Sequence, residues 1–250
     1  MSPRASLVAL ALAAASCGDT ERLAPLAERG ALLAADARVT RSQYNGFSCL
    51  TCHAVSPAAQ GQRALPGATL QGAARRPSFW GGEVTNLREA VERCWTGFMR
   101  GVPADLDGPD GQAIGAWLDA LAPEGSTEGA AAVTTTWTRV VRDPGEGGDR
   151  ARAQAVWGRA CATCHGALET GAGRLGPLVS VLPRDTITEH CDDDIAAVGY
   201  TDRQAYIRAI ATEKTRHGSF LGYAGVMPPF STEALSDDEM RDLAALFRCP

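Results

Sequence analysis

The sequence predicts an all-α protein built as two similar halves, and three observations carry that reading. Apolar residues recur at helical spacing in several segments, one five-residue motif occurs twice, and a Gly/Thr-rich stretch separates the two copies. In chain order, Glu21 to Ala35 carries Leu23, Leu26, Ala27 and Gly30 at helical spacing. With Thr85 as cap, a helix from Asn86 aligns Leu87, Ala90, Val91, Cys94 and Phe98 in one apolar stripe. Ile114, Trp117, Leu118 and Leu121 share a helical face that Pro123 terminates. Residues 123–150 have a linker composition, within which the Thr- and Val-rich run Val133 to Val141 predicts a short strand. Beyond it, Ala151 to Arg159 with Trp157 and Asp202 to His217 read as helices. Ser236 and Glu239 form a capping box before the last helix, stapled by Leu235 and Met240. Met240, Leu243, Ala244 and Phe247 then face one core, which makes Met240 a packing residue. The expected domains are 17–122 and 151–250.

Charge and export narrow the classes of function. The chain has 250 residues, 24 Lys+Arg against 29 Asp+Glu and a net charge of −5, with no basic run, so no nucleic acid partner is expected. Lys214 is the only lysine, and His53, His165, His190 and His217 are the only histidines, which restricts every ligand argument. Arg4 followed by the apolar run Leu7 to Ala15 has the layout of a secretory signal over residues 1–16 and is too short to span a bilayer. Ala14-Ala15-Ser16 before Cys17 resembles a bacterial lipoprotein signal, with Leu12 two positions further back than usual. That resemblance implies lipidation of Cys17 and a periplasm-facing membrane anchor. Gly18-Asp19, with no Asp directly after the cysteine, implies the outer membrane.

The repeated motif is Cys49-Leu50-Thr51-Cys52-His53 and Cys161-Ala162-Thr163-Cys164-His165, both C-x-x-C-H. Two thiols one helical turn apart can add to the two vinyl groups of a haem, and the following His is then placed to ligate its iron. A four-ligand zinc site needs a further Cys/His pair that neither segment has nearby. Two covalent haem c groups are therefore expected, on Cys49 and Cys52 with His53, and on Cys161 and Cys164 with His165.

With these surroundings the chain resembles class I cytochrome c domains in tandem. The resemblance implies that Pro66, beside Gly67, and Pro177, beside Gly176, offer carbonyls to the ligating imidazoles. It also makes Met227, in Met227-Pro228-Pro229-Phe230 ahead of the last helix, the distal ligand of the second haem. The first half departs from that pattern, because its corresponding loop Val102 to Asp105 has no Met. Cys94 and Met99 remain there as alternatives, about 140° apart on a continuous helix, so both cannot face one iron. Cys94 to Gly101 resembles the C-x4-M-x-G segment of dihaem thiosulfate dehydrogenases and, more distantly, of sulfur-oxidation cytochromes, in which the Cys is the ligand. Once Cys17 and the four motif cysteines are assigned, Cys94, Cys191 and Cys249 remain. Cys191 and Cys249 lie in the second half and can pair, while a disulfide from Cys94 to either is the competing arrangement.

The reading favoured is an electron carrier that exchanges single electrons with other redox proteins and turns over no substrate. The alternative is a thiosulfate dehydrogenase-like sulfur oxidoreductase with a catalytic Cys94-ligated haem, in which Arg75, Arg76, Arg93 and Arg100 serve thiosulfate or another small sulfur oxyanion. Lys214 lies far before Met227 in sequence, against a Lys/Met exchange. A peroxidase would need acid/base groups, and the remaining His190 and His217 read as solvated loop residues.

Overall fold

A computed structural model describes residues 18–122, 143–218 and 227–250, and residues 18–24 by backbone alone. The expected signal, Cys17 and the strand at Val133 to Val141 lie outside the described residues. The architecture is all-α. In chain order the helices are α1 (Gly18–Ala35), α2 (Cys49–Cys52), α3 (Pro57–Gln60), α4 (Leu87–Gly97), α5 (Pro109–Ala120), α6 (Arg150–Ala160), α7 (Ala162–His165), α8 (Arg184–His190), α9 (Arg203–His217) and α10 (Asp237–Ala244). No described helix is long and apolar enough to cross a membrane.

The first half is organised by α1 lying against α5. Their approach requires Gly30, because a Cβ there would sit 2.0 Å from the Ala113 carbonyl oxygen. Ala34, Val39, Leu70, Trp95, Met99, Leu106, Ile114, Trp117 and Leu118 form the core between them and α4. The cap of α4 is Asn86, whose side chain accepts from Glu89 N–H at 2.8 Å, one residue beyond the expected Thr85.

The second half packs α6, α9 and α10 around Trp157, Ile207, Ile210, Leu235, Met240 and Leu246. Met240, at 1% exposure, is a core residue, and the Ser236/Glu239 capping box opens α10. Asp242 on α10 accepts two hydrogen bonds from Arg152 on α6, at 2.8 and 2.9 Å, and one from Asp149 N–H at 2.7 Å. Cys191 is disulfide-bonded to Cys249, with Cα atoms 5.6 Å apart. Asp143 and Glu146, within the expected linker, pair with buried Arg208 of α9 and so seat that stretch on the second half.

The halves meet along a seam. Ala64 N–H donates to the Arg159 carbonyl at 3.0 Å, and the Ala64 side chain is buried in the core of the second half.

Candidate haem sites

Each C-x-x-C-H segment makes one helical turn that ends with the His N–H donating to the first Cys carbonyl, at 3.0 Å for His53 and 2.9 Å for His165. In the first half Ser48 starts the turn, and its N–H donates to Thr51 Oγ1 at 3.0 Å. In the second half the turn continues directly from α6, whose Trp157 Nε1 donates to the Gly166 carbonyl at 3.0 Å.

Both imidazoles are oriented in the same way. His53 Nδ1 pairs with the Ala68 carbonyl at 2.7 Å and His165 Nδ1 with the Ser180 carbonyl at 2.9 Å. Each acceptor lies 15 residues beyond its His, so one loop geometry recurs in both halves. This corrects the expectation that Pro66 and Pro177 supply the carbonyls. The loops reach two and three residues further before turning back, leaving Pro66 as a wall residue and Pro177 exposed. Burial holds both imidazoles below the ordinary histidine pKa. A neutral ring whose Nδ1–H is engaged presents Nε2 as a free electron pair, the state a metal ligand needs.

Around His53 the structure forms an apolar cavity. Cys49 and Cys52 open into it, Leu70, Ile114 and Leu118 wall it, and Trp80 lies stacked on Phe98, with centroids 6.2 Å apart, at its side. Gly67 runs so close under the imidazole that a Cβ would lie 2.2 Å from His53 Cε1. Burial pushes the Cys49 thiol up to about 11 and Cys94 up to about 12, and raises Cys52 further. Cys164 of the second half adds to the rise at Cys52, so the two motifs are within electrostatic range.

Cys94 and Met99 both line this cavity, because α4 ends at Gly97 and Met99 follows the turn rather than extending the helix. The helical angle that separated them therefore does not apply, and both line the same cavity as His53. Met99 is 4% exposed and belongs to the core, whereas Cys94 is half-buried.

The four arginines are not brought together. Arg75 pairs with Asp119, Arg93 with Glu83 and Glu89, and Arg100 is exposed at a left-handed φ of 56°. Arg76 alone lines the cavity. One of its Nη donors reaches the Thr69 and Gln71 carbonyls, while its buried Nε has no partner. An apolar cavity bearing one unsatisfied buried guanidinium nitrogen, the two motif thiols, Cys94 and a neutral imidazole fits a haem c, for which Arg76 would supply a cation to a propionate.

In the second half Cys161 and Cys164 are half-buried, and burial pushes Cys161 up to about 12. Met227 is half-buried against the core, and its N–H donates to the Gly218 carbonyl at 3.2 Å. Lys214, distant in sequence, is near enough to help depress His165, so it shares this side of the fold. The solvated-loop reading of the other histidines is also corrected, since both end helices and are half-buried. His190 Nδ1 pairs with Asp193 at 2.9 Å, and Asp193 also accepts from Tyr206 OH at 2.7 Å. His217 lies 4.0 Å from Glu213.

Residues 148–246 match the family model described as cytochrome C oxidase, cbb3-type, subunit III. The match contains Cys161 to His165 and Met227, and it supports a cytochrome c domain with covalent haem c in the second half, acting as a haem-based electron carrier with redox-protein partners. No curated protein matches the chain.

Proposed function

We propose that this chain is an exported, lipid-anchored dihaem c-type cytochrome that passes single electrons between redox partners on the periplasmic side of the outer membrane. The observation that carries the reading is the repeated proximal geometry. Two C-x-x-C-H turns each direct the His Nδ1 to a carbonyl 15 residues on, and the family match covers one of them. A haem c supplies one-electron chemistry, its iron alternating between ferric and ferrous.

The chain's own residues do the rest. Cys49 and Cys52, and Cys161 and Cys164, would hold the porphyrins through thioethers, while His53 and His165 would ligate through Nε2. Met227 would supply a thioether that favours the ferrous state, and Arg76 would neutralise a propionate. Leu70, Ile114 and Leu118 give the first site an apolar wall. Cys17 would carry the lipid.

The thiosulfate dehydrogenase-like reading draws on Cys94 lining the same cavity as His53. The dispersal of Arg75, Arg93 and Arg100 supports the carrier instead, because a small oxyanion is held by converging forks. Expression with a cytochrome maturation system tests both readings. Mass spectrometry should give two haem adducts, reduced to one by Cys49→Ala/Cys52→Ala, and Cys17→Ala should release the protein from the membrane. The holoprotein should not catalyse the reduction of an artificial acceptor by thiosulfate. A single adduct in the wild type overturns the dihaem reading, and Cys94-dependent thiosulfate turnover favours the enzyme.

A further inference from the structure

The cavity around His53 is lined by residues from Phe47 to Leu118 with two exceptions, Pro228 and Pro229. Both come from the second half and directly follow Met227. Their placement is not that of a loose loop. On one side Met227 N–H is bonded to the Gly218 carbonyl. On the other, Phe230 N–H donates to the Thr215 carbonyl at 2.8 Å. Arg216, 4% exposed, donates from Nη1 to the Phe230 and Ser231 carbonyls at 3.2 and 3.0 Å and from Nη2 to Asp237 at 2.9 Å. Between these clamps stand two prolines, each with φ fixed by its ring and no N–H to leave unsatisfied in an apolar wall.

The contact is reciprocal. The first half places Ala64, from the loop between His53 and Pro66, in the core of the second half, bonded to the Arg159 carbonyl. The loop that positions the His53 imidazole is therefore seated on α6, while Pro228 and Pro229 form part of the cavity wall.

We infer that Pro228 and Pro229 are positioning residues of the first haem pocket, so that the one segment Met227-Pro228-Pro229 shapes both sites. The inference rests on the reading that His53 anchors a haem c and that Met227 is the distal ligand of the other. Two chain steps separate Met227 from Pro229, at most about 7 Å of backbone. A rearrangement at Met227 is thus felt at the wall of the other site. The rings take up space that water would otherwise fill in the wall of the first pocket, and the wetness of the pocket sets how well the charged state of the haem is solvated.

The test uses the full holoprotein and a redox titration followed by visible and EPR spectra, with the second haem's signals identified in Cys49→Ala/Cys52→Ala. Pro229→Ala should shift the reduction equilibrium constant of the first haem roughly tenfold, about 59 mV for one electron. It should also speed cyanide binding there and leave the second haem unchanged. Pro229→Val, which restores bulk, should return both values toward the wild type, and Val198→Ser at an exposed site should alter neither.

If Pro229→Ala loses the first haem alone, the inference stands. Loss of both haems that Pro229→Val does not restore marks a defect of the second half and overturns it. A shift confined to the second haem, or none at all, overturns the inference while two wild-type adducts leave the dihaem reading intact. A single wild-type adduct overturns both.

Discussion

In the first half the C-x-x-C-H turn begins at a capped serine after a loop. In the second it is the continuation of a helix, with Cys161 serving as the C-cap of α6. Both routes nevertheless deliver the His to a carbonyl 15 residues on. The surroundings then diverge. Cys94, Met99, Arg76 and two borrowed prolines line the first site, whereas Lys214 lies near the second and Met227 packs on the core of the second half. The proximal half of such a site is set by local chain geometry and tolerates different approaches. The distal half is set by whatever the rest of the fold brings there, and with it the chemistry.

The largest expected difference between the halves concerns a glycine beside each motif. Gly67→Ala would put a methyl 2.2 Å from His53 Cε1 and 2.4 Å from Nδ1, and Gly67 N–H is tied to the Cys52 carbonyl at 3.0 Å. The ring is tied to the Ala68 carbonyl and the loop to the Cys52 carbonyl, so relieving the clash breaks one of these bonds and loss of the first haem adduct is expected. Gly176→Ala meets nothing within 4 Å and should leave two adducts. Equal haem content in the two variants would break the comparison.

Next in size is the distal ligand. Cys94→Met should convert the first haem to a His/Met spectrum and raise its potential, since a thioether favours ferrous iron where a thiolate favours ferric. Met99→Leu should leave the spectrum unchanged and cost under about 1.5 kcal/mol as a near-isosteric core exchange. The reverse pattern would assign Met99 and remove the main support for sulfur chemistry. Smaller again, Arg76→Gln removes a cation from the first pocket. It should lower that potential in a redox titration without touching the second haem.

How much of this was legible depends on how local each signal is. The C-x-x-C-H turns, the α10 capping box and the packing role of Met240 follow from spacing within a few residues, and the structure places them as expected. Cap identity slipped by one residue at α4, because Thr85 and Asn86 are both competent caps and only the fold decides which enters the turn. Pro66 and Pro177 misled because a Pro beside a Gly marks a turn without fixing which carbonyl points inward. Arg75, Arg93 and Arg100 are near Arg76 or Cys94 in sequence, yet carboxylates on Asp119, Glu83 and Glu89 hold two of them elsewhere. Pro228 and Pro229 in the first cavity, and Lys214 near His165, had no local signal, since both depend on how distant segments dock.

The smallest effect separates the halves by what acid does to their helix pairs. In the second half α6 and α10 are joined by Asp242, whose side chain is 7% exposed and accepts both Arg152 bonds and the Asp149 N–H. The Arg152 hydrogen bonds hold the Asp242 carboxyl below its usual 3.8. Its stabilisation is thus complete above the unfolded value and fades as pH falls through the lower folded one. Arg152 is 66% exposed, so water screens the pair and Asp242→Asn should cost about 1–2 kcal/mol at neutral pH. In the first half Arg29 reaches Asp110 between α1 and α5 at 2.5 Å, with side chains 53% and 21% exposed. Asp110→Asn should cost no more than about 0.5–1 kcal/mol. Urea unfolding at pH 7 and at pH 3, followed at each haem's absorbance, reads both. The Asp242→Asn deficit should appear in the second half's transition at pH 7 and narrow at pH 3. A deficit that persists undiminished in acid would mean that the asparagine disturbs packing rather than charge, and the α6–α10 junction would then owe its stability to its apolar contacts.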